Sequence, residues 1–149
     1  MNFEFSIIIN RPVEKVYDFF WNLDERDFSD NPVVPVYVRL DKGPRRIGSQ
    51  IREIVRTPFF RMEIISEIIG IIPNERLKYK FKGVGMEGEL LYQFKSIRNE
   101  TELNQKVSLC FRGIRKILTP FLPFTYRKRA KKRLKDIKAI IESEKPNKL

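Results

Sequence analysis

Glu53 is the side chain in this sequence best placed for acid/base work. Residues 47–56 alternate so that Ile51, Glu53 and Val55 share one strand face, opposite Gln50, Arg52 and Arg56. If the apolar face is the inner one, Glu53 points inward. Desolvation there disfavours a carboxylate's charge, which suits a general acid/base or a group that binds a ligand donor. A bulge or a strand end at this point would instead leave it in water. Tyr79 and Tyr92 fall on inward faces by the same parity and set phenolic donors against an apolar wall, where tyrosines ordinarily pack and find a local partner. Glu63 and Glu67 share a face with Ile65 and Ile69, so alternation does not decide which side of that strand is wet. The chain has no histidine, the commonest general base and metal ligand, and its single cysteine, Cys110, rules out a disulfide framework within the chain. No carboxylate pair, nucleophile with base, or metal-ligand cluster stands out. Glu53 is therefore the lone, weak catalytic candidate, no metal or other cofactor is expected, and enzymatic activity is left open.

One motif misleads. Gly83, Gly85 and Gly88 spell G-x-G-x-x-G directly after a strand pattern. A dinucleotide fingerprint needs a helix N-terminus after the glycines to hold the pyrophosphate, yet Leu90, Tyr92 and Phe94 continue as a strand, and Glu87 would repel phosphate. A hairpin connection is the ordinary reading.

Net charge is +11, and nearly all of it lies at one end. From residue 111 onward, thirteen Lys and Arg stand against Asp136, Glu142 and Glu144. The centre is Arg127, Lys128, Arg129, Lys131, Lys132, Arg133 and Lys135, continued by Lys138 and interrupted by Ala130, Leu134, Ile137 and Ile141, which form one helical stripe. The plain reading is a solvated basic surface that aids solubility. Its candidate macromolecular partners are nucleic acid and anionic membrane. No aromatic residue lies between Arg127 and Lys138, which disfavours stacking on single-stranded nucleic acid. Ile117, Leu118, Phe121, Leu122 and Phe124 precede the cluster, an order that suits weak, reversible contact with an anionic bilayer.

The elements that would position these groups follow from periodicity. Phe3, Phe5, Ile7 and Ile9 alternate as a first strand, and Pro12 opens a helix to about residue 23 with Val13, Val16, Tyr17 and Phe20 at helical spacing. Val34, Val36, Val38 and Leu40 form one face of the next strand. Residues 47–56, 62–69 and 76–82 follow, the last with Leu77, Tyr79 and Phe81 opposing Arg76, Lys78, Lys80 and Lys82. Leu90, Tyr92 and Phe94 continue the inward set, and Leu103, Val107, Leu109 and Phe111 close it. Pro120 and Pro123 interrupt the passage to a terminal helix of about 20 residues. At 149 residues the chain fits one domain, 1–149, with a proper core. Glu4 and the alternation around it do not read as a secretory signal, and no apolar run nears the roughly 20 residues of a membrane span, so the cytoplasm is the expected compartment. Nothing in the sequence sets an oligomeric state.

These landmarks resemble the START-related superfamily called SRPBCC, which includes the birch-pollen-allergen fold and polyketide cyclase/dehydrase-like proteins. The likeness is carried by Pro12-x-Glu14-x-Val16-Tyr17 after a strand, by the spaced Gly43 and Gly48, by Pro73-Asn74-Glu75 before an alternating strand, and by the terminal helix ending at residues 134–142. The resemblance implies an α+β helix-grip fold: a curved antiparallel β-sheet wrapped around a long C-terminal helix, with a short helical segment after the first strand. It further implies that a hydrophobic small molecule, such as a lipid, quinone, sterol or polyketide-like compound, binds in an internal cavity. The alternatives are a cyclase/dehydratase-like enzyme, or a basic module docking on RNA, ribosomes or anionic membrane. Inward parity assigns Tyr79, Phe81, Tyr92 and Phe94 to the cavity, to which Phe20 of the first helix is added, with Phe121 and Phe124 as its lid.

Overall fold

Apolar-polar alternation gives the middle of the chain its strands, and the computed structural model describes residues 1–28, 30–56, 61–113 and 122–144. Strands β1 (Asn2–Ile9), β2 (Val36–Arg39), β3 (Gln50–Arg56), β4 (Arg61–Ile72), β5 (Arg76–Gly83), β6 (Met86–Ile97) and β7 (Glu100–Phe111) form one antiparallel sheet in the order β1-β7-β6-β5-β4-β3-β2. Helix α1 (Val13–Trp21) and a short 3₁₀ turn (Leu23–Glu25) carry the chain from the β1 edge to the β2 edge. The C-terminal helix α2 (Leu122–Ser143) has 22 residues, about 33 Å at 1.5 Å per residue, and is held against the inner face of the sheet.

Burial follows the strand parity. Leu77 and Tyr79 of β5, Leu90, Tyr92 and Phe94 of β6, and Leu103, Val107, Leu109 and Phe111 of β7 are buried on the inner face, while Lys80 and Lys82 are exposed. On β4 the inner residues are Met62, Ile64, Ser66 and Ile68, which places Glu63 and Glu67 outside. A register shift between Ile68 and Gly70 then bends that strand. The first of the middle strands departs from expectation. Tyr37 is its buried residue, while Val38 and Leu40 stay substantially exposed. β2 is a four-residue edge strand, so its outer face has no layer to cover it and the larger ring takes the interior.

The glycines of the misleading motif have structural duties. Gly85 turns the β5–β6 hairpin with φ at 69°. Gly88 sits on the inner face opposite Phe81, and a Cβ there would lie 2.0 Å from the Ser108 carbonyl oxygen and 2.8 Å from the Phe81 ring. Only glycine lets the ring and the neighbouring strand approach so closely.

α1 seals one end of the sheet. Val13, Val16, Phe19 and Phe20 recur at helical spacing and are all buried. Phe20 meets Tyr92 with ring centroids 4.7 Å apart and Phe94 at 5.8 Å, and Tyr17 meets Phe94 edge-on at 5.4 Å. The loop before β3 is tied to this end by Arg45, which forms an ion pair with Asp24 and donates to Asn22 Oδ1 at 2.7 Å. The far end of α2 is fastened there too. Leu134, Ile137 and Ile141 are buried, and Lys138 donates to the Ile8 carbonyl at 2.7 Å.

Candidate ligand cavity

α1 covers only the end of the sheet where Tyr92 and Phe94 lie. Towards the β5–β6 hairpin the inner face is covered by the first turns of α2, and a cavity of about 350 Å³ remains between them. Its apolar wall includes Phe3, Val55, Ile64, Phe81, Leu90 and Val107, and α2 contributes Tyr126, Arg129, Ala130 and Arg133. Two local choices open this space. Gly88 puts no side chain on the inner face, and Ala130 puts a short one where α2 crosses it. At the rim the Tyr126 hydroxyl donates to Met86 Sδ at 3.0 Å, and the ring packs 5.5 Å from Phe111.

The floor of the cavity is polar. Arg133 turns inward from α2, donates to the Tyr92 hydroxyl at 3.2 Å, and holds its guanidinium 5.6 Å from the centre of the Tyr37 ring. Its Nε and the Tyr37 hydroxyl are buried and have no hydrogen-bond partner among the described residues. Glu53 lies half-buried between the cavity and a space of about 10 Å³ beside Tyr37, Tyr79 and Tyr92, roughly the room one water molecule needs. It accepts a hydrogen bond from Ser66 Oγ at 3.2 Å. Burial pushes the hydroxyls of Tyr37, Tyr79 and Tyr92 above the ordinary tyrosine range, so all three stay protonated at neutral pH. Burial alone would lower the pKa of Arg133, but the acidic groups facing it, Tyr37, Tyr92 and Glu53, hold it above the usual arginine value. Its charge is therefore permanent.

Several residues expected to line one cavity are distributed differently. Phe81 is on the wall. Tyr79 and Tyr92 border only the small space beneath it, while Phe20 and Phe94 pack in the aromatic cluster under α1. Parity assigns a side chain to a face of the sheet, and the level along the strand then decides whether helix or void lies above it. Phe124, expected as part of a lid, is 74% exposed on the outer side of α2. Tyr126, two residues on, takes the inward direction instead. Phe121 lies outside the described residues.

The basic cluster also divides. Arg127, Lys128, Lys131, Lys132 and Lys135 are exposed, whereas Arg129 and Arg133 face inward. Arg129 donates to the Arg56 carbonyl at 2.7 Å, and burial lowers its pKa. The signal was present in the spacing, because Arg133 stands three residues after Ala130 and four before Ile137, in the middle of the apolar stripe. As for Glu53, parity brings it to the interior, and it shares that interior with a cation. Among the described residues no group of three or more Cys, Asp and Glu side chains is placed to hold a metal ion, and no helix is long and apolar enough to cross a membrane.

No family model matches the chain, and no curated protein sequence does. Solved structures match it closely in shape. The protein Ara h 8.0201 superposes with a TM-score of 0.73 at 12% identity, covering 97% of this chain and 99% of that one. Ginseng major latex-like protein 151 from Panax ginseng gives 0.72 at 10% identity, over 93% and 95%. The Zhui aromatase/cyclase from a Streptomyces species gives 0.63 at 12% identity, over 76% and 69%. The chain has the helix-grip fold of the SRPBCC, or START-like, proteins, as its sequence landmarks implied.

Proposed function

We propose that this protein binds a hydrophobic small molecule between the sheet and the first turns of α2. The observation that carries the reading is the cavity itself. At about 350 Å³ it reaches the size range of small-molecule sites, and it has their composition, a mostly apolar wall with a few convergent polar groups. Lipid, quinone, sterol and polyketide-like compounds all fit that description. A cyclase/dehydratase-like enzyme would use the same interior with Glu53 as its acid/base, and turnover of a bound compound would distinguish it from a carrier. Native mass spectrometry of the protein as purified from cells is expected to show a bound species removed by organic solvent. Nile red, an uncharged probe, is expected to bind saturably to the emptied protein and to lose that binding in Leu90→Trp, whose ring fills the cavity. Absence of any saturable uptake by the emptied protein would defeat the reading.

A second reading concerns the mouth of the cavity. Phe124 on α2 is 74% exposed and Val84 in the β5–β6 turn is 79% exposed, each two residues from a partner in the contact between Tyr126 and Met86, and Arg127, Lys128 and Lys131 follow Phe124 on exposed positions of α2. Apolar side chains beside cations suit an anionic bilayer, where each engaged basic residue contributes about 1 kcal/mol. Pelleting with phosphatidylserine vesicles is expected at low salt and not at high salt, and should weaken in Phe124→Ser. No pelleting at low salt, or tighter saturable binding to RNA under the same conditions, would transfer the basic face to a macromolecular partner.

A further inference from the structure

The charges inside the cavity do not balance, and the imbalance specifies the ligand more closely. Arg129 and Arg133 both reach the lining, and among the described residues Glu53 is the one acidic side chain on it. The described lining therefore carries one positive charge in excess, with Arg133 at the floor and Arg129 partly exposed. Arg133 is also poorly satisfied. A guanidinium has five N–H donors, yet its hydrogen bonding among the described residues is limited to the Tyr92 hydroxyl, and its Nε has no partner. Glu53 does not make an ion pair with it, since no carboxylate of the described residues lies within 4.0 Å of its nitrogens. A permanent charge at the floor of an apolar cavity, left with open donors, is costly unless something completes it.

Resting on the reading of the cavity as a ligand site, we infer that its ligand is an amphipathic monoanion, with an apolar body along Phe81, Leu90 and Val107 and a carboxylate at Arg133. A carboxylate suits the position for two reasons. The planar fork of a guanidinium matches its two oxygens, and a single negative charge neutralises the excess of one, which a dianionic phosphate would overshoot. The protonated Tyr37 hydroxyl, buried on a ring whose centre is 5.6 Å from the guanidinium, makes no hydrogen bond within 3.5 Å among the described residues and supplies a further donor for the same end of the ligand.

Decanoate and decanol share a chain length and differ in the charged end, so titration calorimetry with both at pH 8 isolates the headgroup. Decanoate is expected to bind at least tenfold more tightly than decanol. Arg133→Gln should abolish that preference, bringing decanoate affinity to the level of decanol. Because Arg133→Gln also disturbs Tyr92 and could impair folding, Glu53→Gln provides an independent arm: removing the opposing charge should tighten decanoate severalfold and leave decanol unmoved. Equal binding of the two ligands by the unaltered protein, a preference that survives Arg133→Gln, or a Glu53→Gln protein with unchanged decanoate affinity would each overturn the inference. Decanol binding without anion preference would leave the apolar cavity reading standing, whereas failure of both ligands and of Nile red would remove that reading as well.

Discussion

Phe94→Ala is expected to lower stability by about 3–5 kcal/mol while leaving uptake of an apolar probe intact. Phe94 is 6% exposed and packs against three other rings: Tyr17 at 5.4 Å, Phe20 at 5.8 Å and Tyr92 at 6.4 Å. Truncating it removes edge-on aromatic contacts and leaves a hole under α1, at the closed end of the sheet. The cavity wall lies further towards the β5–β6 hairpin, and its rings include Phe3 and Phe81 but not Phe94. In urea the midpoint should therefore fall with little change in slope, as for a variant that alters stability without altering the surface exposed on unfolding. Nile red affinity, measured where the variant is still folded, should match that of the parent protein. Loss of probe binding by folded Phe94→Ala would show that the two ends of the interior are one site.

Asp24→Ala is expected to cost about 3–5 kcal/mol, the usual effect of leaving a buried charge without its partner. The side chains of Asp24 and Arg45 are each 7% exposed, and the pair joins the 3₁₀ turn after α1 to the loop before β3. Glu25 also approaches Arg45, at 3.6 Å, but it is 65% exposed and solvent weakens its attraction. Arg45 Nε has no partner even in the intact protein, among the described residues, so the guanidinium has little reserve. Asp24→Asn, which keeps the shape and loses the charge, should fall between the parent and Asp24→Ala. Asp24→Ala combined with Arg45→Met should recover much of the loss, since a buried ion pair replaced by packed apolar groups is often neutral. A double-mutant cycle by urea denaturation measures the coupling. A cost for Asp24→Ala below about 1 kcal/mol would mean that water reaches the pair.

Local pattern was enough to determine the elements of this protein and most of their inner faces. Leu77, Tyr79 and Phe81 alternate with lysines because one side of β5 meets the core and the other meets water, and the same rule turns Glu53 inward and carries β6 and β7. Pro12 with Val13, Val16 and Phe20 marks α1, and Leu134, Ile137 and Ile141 mark the core stripe of α2, because helical spacing is a property of the chain itself. Where a residue lies along its strand is a different matter. Phe94 and Phe81 obey one parity, yet the first is covered by α1 and the second faces a void, and only the crossing of the two helices over the sheet separates them. Charge alone assigns Arg133 to the basic surface, but its turn of the helix aims it at Tyr37, Tyr92 and Glu53, three residues on three different strands. Alternation favours Val36 and Val38 over Tyr37 as the inner residues, because nothing local says that β2 is the edge strand. Periodicity is encoded within a few residues and can be read from them; a cavity and the charge at its floor arise where α2 meets β2, β3 and β6, and their placement depends on how those segments pack together.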